Sequence, residues 1–293
     1  MNNIAMTHLE KTIVNLRNIL RSEGIKGMDS INHCIAFILM KYIDVQTCET
    51  YNIPLQYTYD SILNHIKEKD ITSDEINRLI FNADTDVNDS VITFIWDKFE
   101  FVFEFKMTIY DNIIKIVKLL ETLDLRVLEL TKDIIGTIYE LHLKTGAAGG
   151  GMRDLGQYFT HRKVIQYMIE LCNPKKIGNE IEQIVDPTCG TGGFLTMTVK
   201  YLNKKYNNDI NWETNQSNMI GFDIDEDVLK ISRVNLLIEC NTRFQNLIKR
   251  DTLYHDMKLS DEHSEIIADV LLCNEPMGLT NLLHASCCNR IKN

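Results

Sequence analysis

The chain is poor in residues that break a backbone. Four prolines and fourteen glycines in 293 residues exclude a collagen-like or low-complexity sequence. Positive charge is also scarce. Against 41 Asp and Glu stand 31 Lys and Arg, for a formal net charge of -10. The chain as a whole is therefore no basic clamp, and a nucleic-acid function would need a local basic surface or a partner that supplies one. Long apolar runs are missing too, since stretches such as Cys34 to Met40 fall well short of a membrane span. The start, Met1-Asn2-Asn3-Ile4, lacks the basic region and apolar core of a signal peptide, so a soluble, cytoplasmic protein is expected. Eight cysteines occur, at 34, 48, 172, 189, 240, 273, 287 and 288, with no Cys-x-x-Cys and no His at ligand spacing. Neither a disulfide framework nor a metal site is expected, and isolated cysteines behave as small apolar residues. What remains is ordinary: 44% hydrophobic and 25% charged residues, enough for one large domain or two smaller ones.

The rhythm changes halfway. Leu9, Ile13, Leu16, Ile19 and Leu20 share one helical face, and Ile31, Ile35, Ile38, Leu39 and Tyr42 another, with Gly24 and Gly27 between. Further helical patterns run from about Tyr59 to Lys69, Asp74 to Asn82, Ser90 to Glu121 and Leu125 to Lys144, with Ser73 and Asp124 as candidate caps. Trp96 to Phe105 also alternates like a strand, so its assignment stays open. The glycine-rich stretch from Lys144 to Arg153 marks a domain boundary. Beyond it, strands at Ile181–Asp186, Asn218–Asp223, Phe244–Lys249 and Ala268–Cys273 alternate with helices from about Gly193 to Tyr206 and Glu226 to Glu239. That alternation predicts an α/β unit with a parallel sheet, whose ligands bind beyond the carboxyl ends of the strands.

The polar motifs gather at those ends. Asp186-Pro187-Thr188-Cys189-Gly190-Thr191-Gly192-Gly193-Phe194 follows the first strand. Its glycines permit a tight turn and close approach of a ligand to backbone. The loop has no Gly-Lys-Ser/Thr, and a dinucleotide fingerprint would need glycine where Leu195 stands. An acid at this point favours a cationic group over a phosphate. Asp223 ends the second strand, where a carboxylate can accept hydrogen bonds from a ribose diol. Asp225, two residues on, suits a helix cap. Asp251 follows the third strand, as a possible acceptor for an adenine amino group.

With Gly156-Gln157-Tyr158-Phe159-Thr160 upstream and Asn274-Glu275-Pro276-Met277 downstream, this order resembles the adenine-specific (N-6) DNA methyltransferases. The nearest likeness is to the modification subunit of type I restriction–modification systems. The first half is similar to that family's helical domain through Leu9-Glu10, Leu20-Arg21, Phe37 to Tyr42 and Ile135 to Glu140. The resemblance implies a helical N-terminal domain over residues 1–145. It also implies a Rossmann-like, class I S-adenosylmethionine-dependent methyltransferase domain over residues 154–293. Phe159 and Thr160 would lie near the methionine end of the cofactor, Asp186, Gly190 and Gly192 would hold its amino group and backbone, and Phe194 would line the pocket. Asp223 would take the ribose and Asp251 the adenine amine. Asn274, Glu275, Pro276 and Met277 would form the catalytic motif, and DNA and a specificity subunit would be the partners.

Two departures stand out. The family motif is Asn-Pro-Pro-Phe, whose acceptors draw on both hydrogens of the target amine while the aromatic stacks on a flipped base. Here Glu275 replaces the first proline and Met277 the aromatic. Only Leu279 to Asn293 follow, so the family's sheet is expected to be incomplete, finished by a second chain or truncated. Two readings follow: a methyltransferase subunit that works with a partner, or an impaired chain that binds S-adenosylmethionine or serves as an interaction module. A small-molecule or protein methyltransferase fits less well, because Asn274 in this context suits a planar amine.

Overall fold

The computed structural model describes residues 7–51, 53–68, 72–81, 90–125, 134–144, 160–252, 258, 260 and 266–275. The chain divides into two compact units, residues 1–150 and 151–293. No helix among the described residues is long and apolar enough to cross a membrane.

The first unit is helical. Helix α1 (His8–Ser22) opens on a capping box: the Thr7 hydroxyl accepts from the Glu10 amide, and the Glu10 carboxylate accepts from the Thr7 amide. Its Leu9, Ile13, Leu16 and Leu20 are buried along one face. Helix α2 (Gly27–Tyr42) is buried on nearly every side from Ser30 to Met40, as its unbroken apolar run requires. After it come α3 (Val45–Tyr51), α4 (Tyr59–Glu68), α5 (Ser73–Ile80), α6 (Val91–Phe99), α7 (Tyr110–Leu120) and α8 (Ile134–Lys144). Helix α2 packs against α1, α4, α6, α7 and α8, which makes it the central rod of the unit.

Several expectations need correction. Helix α3 carries no strong periodicity and was not foreseen. Thr72, one residue ahead of Ser73, caps α5, exchanging hydrogen bonds with the amide and carboxylate of Glu75. The pattern behind Asp124 runs through residues 126–133, which lie outside the described residues, as does most of the glycine-rich stretch. A single helix over Ser90–Glu121 does not form. Helix α6 stops at Glu100, which takes a left-handed conformation (φ 52°). The chain then runs extended, burying Phe101, Phe103, Phe105 and Met107 and exposing Val102, Glu104, Lys106 and Thr108. The period of two prevails because four apolar side chains find one core face that way, and because His33 holds the segment. The His33 Nε2 atom accepts the Lys106 amide at 2.9 Å, so its proton is on Nδ1, which donates to the Asp29 carbonyl at 2.6 Å. The ring lies 5.1 Å from those of Phe103 and Phe105.

The second unit opens with α9 (Arg162–Cys172), followed by the antiparallel hairpin β1 (Lys176–Ile177) and β2 (Glu180–Ile181). Next come β3 (Ile184–Asp186), α10 (Gly193–Lys205), α11 (Trp212–Asn215) and β4 (Met219–Asp223). Helix α12 (Glu226–Cys240) and strands β5 (Leu247–Lys249) and β6 (Val270–Leu271) complete the order. The strand expected over 181–186 is thus split. Ile181 pairs with Lys176 in the hairpin turned by Gly178 and Asn179, and the parallel sheet begins at Ile184. The other three strands are shorter than their apolar runs.

Strands β3–β6 form one parallel sheet in the order β5-β4-β3-β6, with Asp186 beside Gly221, Asp223 beside Lys249 and Val185 beside Leu271. Ile184 and Met219 pack with α9, α10 and α12 on one face, through Ile165, Leu195, Val199, Leu229 and Leu236. Val185, Ile220 and Phe222 are buried on the other face. Strand order reverses between β3 and β6: the chain steps from β3 through β4 to β5, then returns to the far side of β3. In sheets of this kind a crevice opens there, outside the carboxyl ends of the strands.

Two buried histidines of the first unit set its response to acid. His142 bonds the Ile138 carbonyl through Nδ1 and the Ser30 hydroxyl through Nε2. Burial lowers its pKa from 6.5 to about 4, and lowers that of His33 as well. Both are held neutral in the fold, so their contribution is complete above pH 6.5 and is lost as pH falls through the folded values. We expect the first unit to lose roughly 3 kcal/mol between pH 7 and pH 4 on this account. Urea denaturation of the Trp212→Phe variant, with Trp96 as the reporter of its own unit, measures it; a flat profile would contradict the assignment.

Candidate active site

Each loop beyond the sheet is tied to another. The Cys189 amide donates to the Phe222 carbonyl at 2.8 Å, carrying the β3–β4 ladder one step past the strand. The chain then turns through Gly190 (φ 54°) and Gly192 (φ 80°) into α10. At Gly192 a side chain would be strained by conformation and would also meet the Ser232 hydroxyl on α12 at 2.4 Å. Asn235 on the same helix donates to the Thr191 carbonyl at 2.9 Å. The loop is therefore seated on α12, and small or amide residues on that helix's buried face are what seat it.

Asp223 ties the loop to its neighbours. One carboxylate oxygen accepts the Gly190 amide and the other the Asp225 amide, both at 2.9 Å. Its main-chain carbonyl accepts the Arg250 amide at 2.9 Å. The Asp225 side chain caps α12, as its position suggested. From β5, the Thr252 hydroxyl reaches the Pro187 carbonyl at 2.7 Å. From β3, the Thr188 hydroxyl donates to the Asn274 carbonyl at 3.1 Å. Segments following all four parallel strands are thus joined in one set of hydrogen bonds.

Within that set Asp186 is anomalous. It is fully buried; Oδ1 accepts the Thr188 amide at 3.1 Å, while Oδ2 has no partner among the described residues. Burial pushes its pKa from 3.8 up to about 8, the Thr188 amide opposes the rise, and nearby Asp223 adds to it. Burial raises Asp223 too, against the Asp225, Gly190 and Ile224 amides that favour its charged form. An unpaired oxygen on a buried carboxyl is costly; a hydrogen-bond donor would relieve it, and a cationic donor most strongly. The environment agrees, because Asp223 and Glu275 lie close enough to act on Asp186 or on the adjacent Cys273 thiol. The arrangement suits a ligand with a cationic group at Asp186 and polar groups spread towards β5.

Of the residues singled out from the sequence, Asp186, Gly190, Gly192, Asp223, Asp251 and Asn274 lie on these joined segments. Asp251 is half-buried in the loop after β5, beside the anchoring Thr252. Glu275 is exposed. Phe194 is buried in the core under the loop, where packing accounts for it. Thr160 is half-buried just ahead of α9, whose Arg162 guanidinium lies against Gly193 at the start of α10. Phe159, Pro276 and Met277 lie outside the described residues. Sequence reasoning missed Thr188 and Thr252, whose hydroxyls do the tying. Both adjoin acids already singled out, and a hydroxyl beside a strand-end acid was the available signal.

The model of the family described as N-6 DNA Methylase matches residues 130–284, more than half of the chain. The chain belongs to the N-6 DNA methylase family. It is 29% identical over 152 residues to the type I restriction enzyme EcoEI methylase subunit of Escherichia coli, covering 51% of this chain and 28% of that protein. It is 28% identical over 107 residues to the type I restriction enzyme HindI methylase subunit of Haemophilus influenzae, covering 36% of this chain and 22% of that one. The matches thus span about a quarter of each curated relative. Among solved structures, a type I restriction-modification methyltransferase subunit from Streptococcus thermophilus superposes with a TM-score of 0.50 at 15% identity. That match covers 90% of this chain and 62% of the other. A chain from a type I restriction–modification complex gives 0.51 at 17% identity, covering 92% and 55%. At such identities the likeness shows a shared fold alone.

The raised pKa of Asp186 has a measurable sign. Its neutral form is favoured by folding, so that contribution is complete below pH 3.8 and lost as pH rises through about 8. Asp186→Asn mimics the neutral acid, and we expect it to stabilise the second unit at pH 9 by on the order of a few kcal/mol while changing little at pH 4. Denaturation followed through Trp212 in a Trp96→Phe background tests this; equal effects at both pH values would refute it.

Proposed function

We propose that this chain is a modification-type subunit that transfers a methyl group from S-adenosylmethionine to the exocyclic amine of adenine in DNA. Residues 1–145 are its helical N-terminal domain and residues 154–293 its methyltransferase domain. DNA and a separate specificity subunit are its partners. One observation carries this reading: in a member of the N-6 DNA methylase family, a buried carboxyl with an unpaired oxygen sits where four strand-end loops are tied together.

The residues fit the cofactor. The unpaired Oδ2 of Asp186 would accept the ammonium of the methionine part, with Phe159 and Thr160 near that end. The turn at Gly190 and Gly192 offers backbone, and a Cβ added at Gly190 would meet nothing within 4 Å among the described residues. Each Asp223 oxygen already accepts one amide but has a second lone pair for a ribose hydroxyl. Asp251 would accept from the adenine amine. When bound, the cofactor supplies a methyl group activated by its sulfonium charge.

The chain's own work is to orient the target. An amine conjugated to a ring is a weak nucleophile, so acceptors at Asn274 and the Glu275 carbonyl would draw on its two hydrogens. The Thr188 hydroxyl fixes the Asn274 carbonyl, and a misplacement of about 1 Å at such a site can cost roughly a hundredfold in rate. Pro276 and Met277 would continue the motif, with Met277 giving the flipped base apolar contact without a π face. The tied loops and the unpaired carboxyl oxygen favour this reading over that of a bare interaction module.

Calorimetric titration of the full chain with S-adenosylmethionine tests the cofactor. Binding is expected, tightening from pH 6 to pH 8 as Asp186 loses its proton, and Asp223→Ala should weaken it about tenfold or more, or about 1.4 kcal/mol. Absence of binding by a folded chain rejects the cofactor. Transfer of labelled methyl groups to DNA, assayed with specificity subunits, tests the reaction; binding without any transfer to adenine rejects the substrate.

A further inference from the structure

Helix α9 carries two apolar stripes. Ile165 and Ile169 are each 1% exposed and belong to the core of the second unit. Val164, Tyr167 and Leu171, at i, i+3 and i+7, share another face and are 47%, 62% and 66% exposed. Apolar side chains in a row at helical spacing, one of them aromatic, are what interface centres contain.

The charges beside the stripe are reversed relative to the helix itself. Exposed Lys163 lies in the first turn and exposed Glu170 in the last, and the helix has no acid in its first turn and no base in its last. A helix favours the opposite order, because its N-terminal end is positive and its C-terminal end negative. Gln166 donates to the Glu170 carboxylate at 2.9 Å, which holds that charge on the outer surface. A second α9 lying antiparallel resolves the conflict. Lys163 of one copy then faces Glu170 of the other, twice by symmetry, and the two dipoles oppose. The midpoints of residues 163 and 170 and of residues 164 and 171 fall half a position to either side of Tyr167, so Tyr167 would lie against its own mate beside the axis. A two-fold contact demands this self-complementarity of one patch.

We propose that the outer face of α9 is a self-association surface, on which a second copy of this chain lays its own α9 antiparallel about a two-fold axis at Tyr167. An eleven-residue helix is only about 16 Å long. Such a patch buries less than the roughly 800 Å² per partner of a standard interface. The contact is therefore weak and depends on concentration.

Sedimentation equilibrium of the full chain tests it. The weight-average mass is expected to rise from 33.9 kDa towards twice that value with increasing concentration. Lys163→Glu or Glu170→Lys alone should weaken association tenfold or more, and the double exchange should restore it. Tyr167→Glu, which sets two like charges across the axis, should abolish the rise, with circular dichroism confirming an unchanged fold. A chain that stays at 33.9 kDa at its solubility limit overturns the proposal, as does association that survives the single reversals or is not recovered by the double exchange.

Discussion

The second unit depends on what Asp223 does with its oxygens. Two carboxylate oxygens and one carbonyl accept amides from the glycine loop, from the cap of α12 and from the segment after β5. Backbone amides beyond strand ends have no ladder partner, and leaving such groups unpaired in a half-buried place is costly. One residue meets three of these needs at once. That explains why an acid stands at the end of β4 before any ligand is considered, and the proposed cofactor contact would fall on atoms that already carry a structural duty.

Asp186 shows the contrary case. It lies on the adjacent strand, yet only one of its oxygens is satisfied, and burial holds its carboxyl towards the neutral form. Two acids one strand apart therefore meet different environments. Asp223 is wrapped in amides that favour its charge, whereas Asp186 is surrounded by packing, with one amide and with Asp223 nearby. Burial raises both, Asp223 against more opposing amides, and buried acids raised in this way are found where a protein meets charged ligands.

Much of this was legible in the sequence because the α/β half obeys local rules. Strand ends were marked by Asp186 and Asp223, helix starts by Gly193 and Asp225, and strands by short apolar runs whose length alone was overestimated. The first half was harder. Residues 90–121 are apolar enough to satisfy a helical period, and only the burial of Phe101, Phe103 and Phe105 on one side of an extended chain decides against it. The clasp of His33 on Lys106 spans 73 positions, a separation no local pattern can report. The hairpin of β1 and β2 was hidden for the opposite reason: two-residue strands leave too short a trace. In the site, the acids announced themselves by position. The hydroxyls of Thr188 and Thr252 did not, because threonine is common and its partners are carbonyls in other loops.

The Thr188 hydrogen bond changes how the departures from Asn-Pro-Pro-Phe weigh. Consecutive prolines stiffen a segment from within by fixing φ. At Asn274 the restraint comes from outside, through a hydroxyl on the neighbouring strand's loop that grips the peptide carbonyl. Rigidity borrowed in this way leaves position 275 free of the duty to be a proline. It also links the posture of the segment after β6 to that of the glycine loop, so that under the proposed function a cofactor settling in the loop would be felt one strand away.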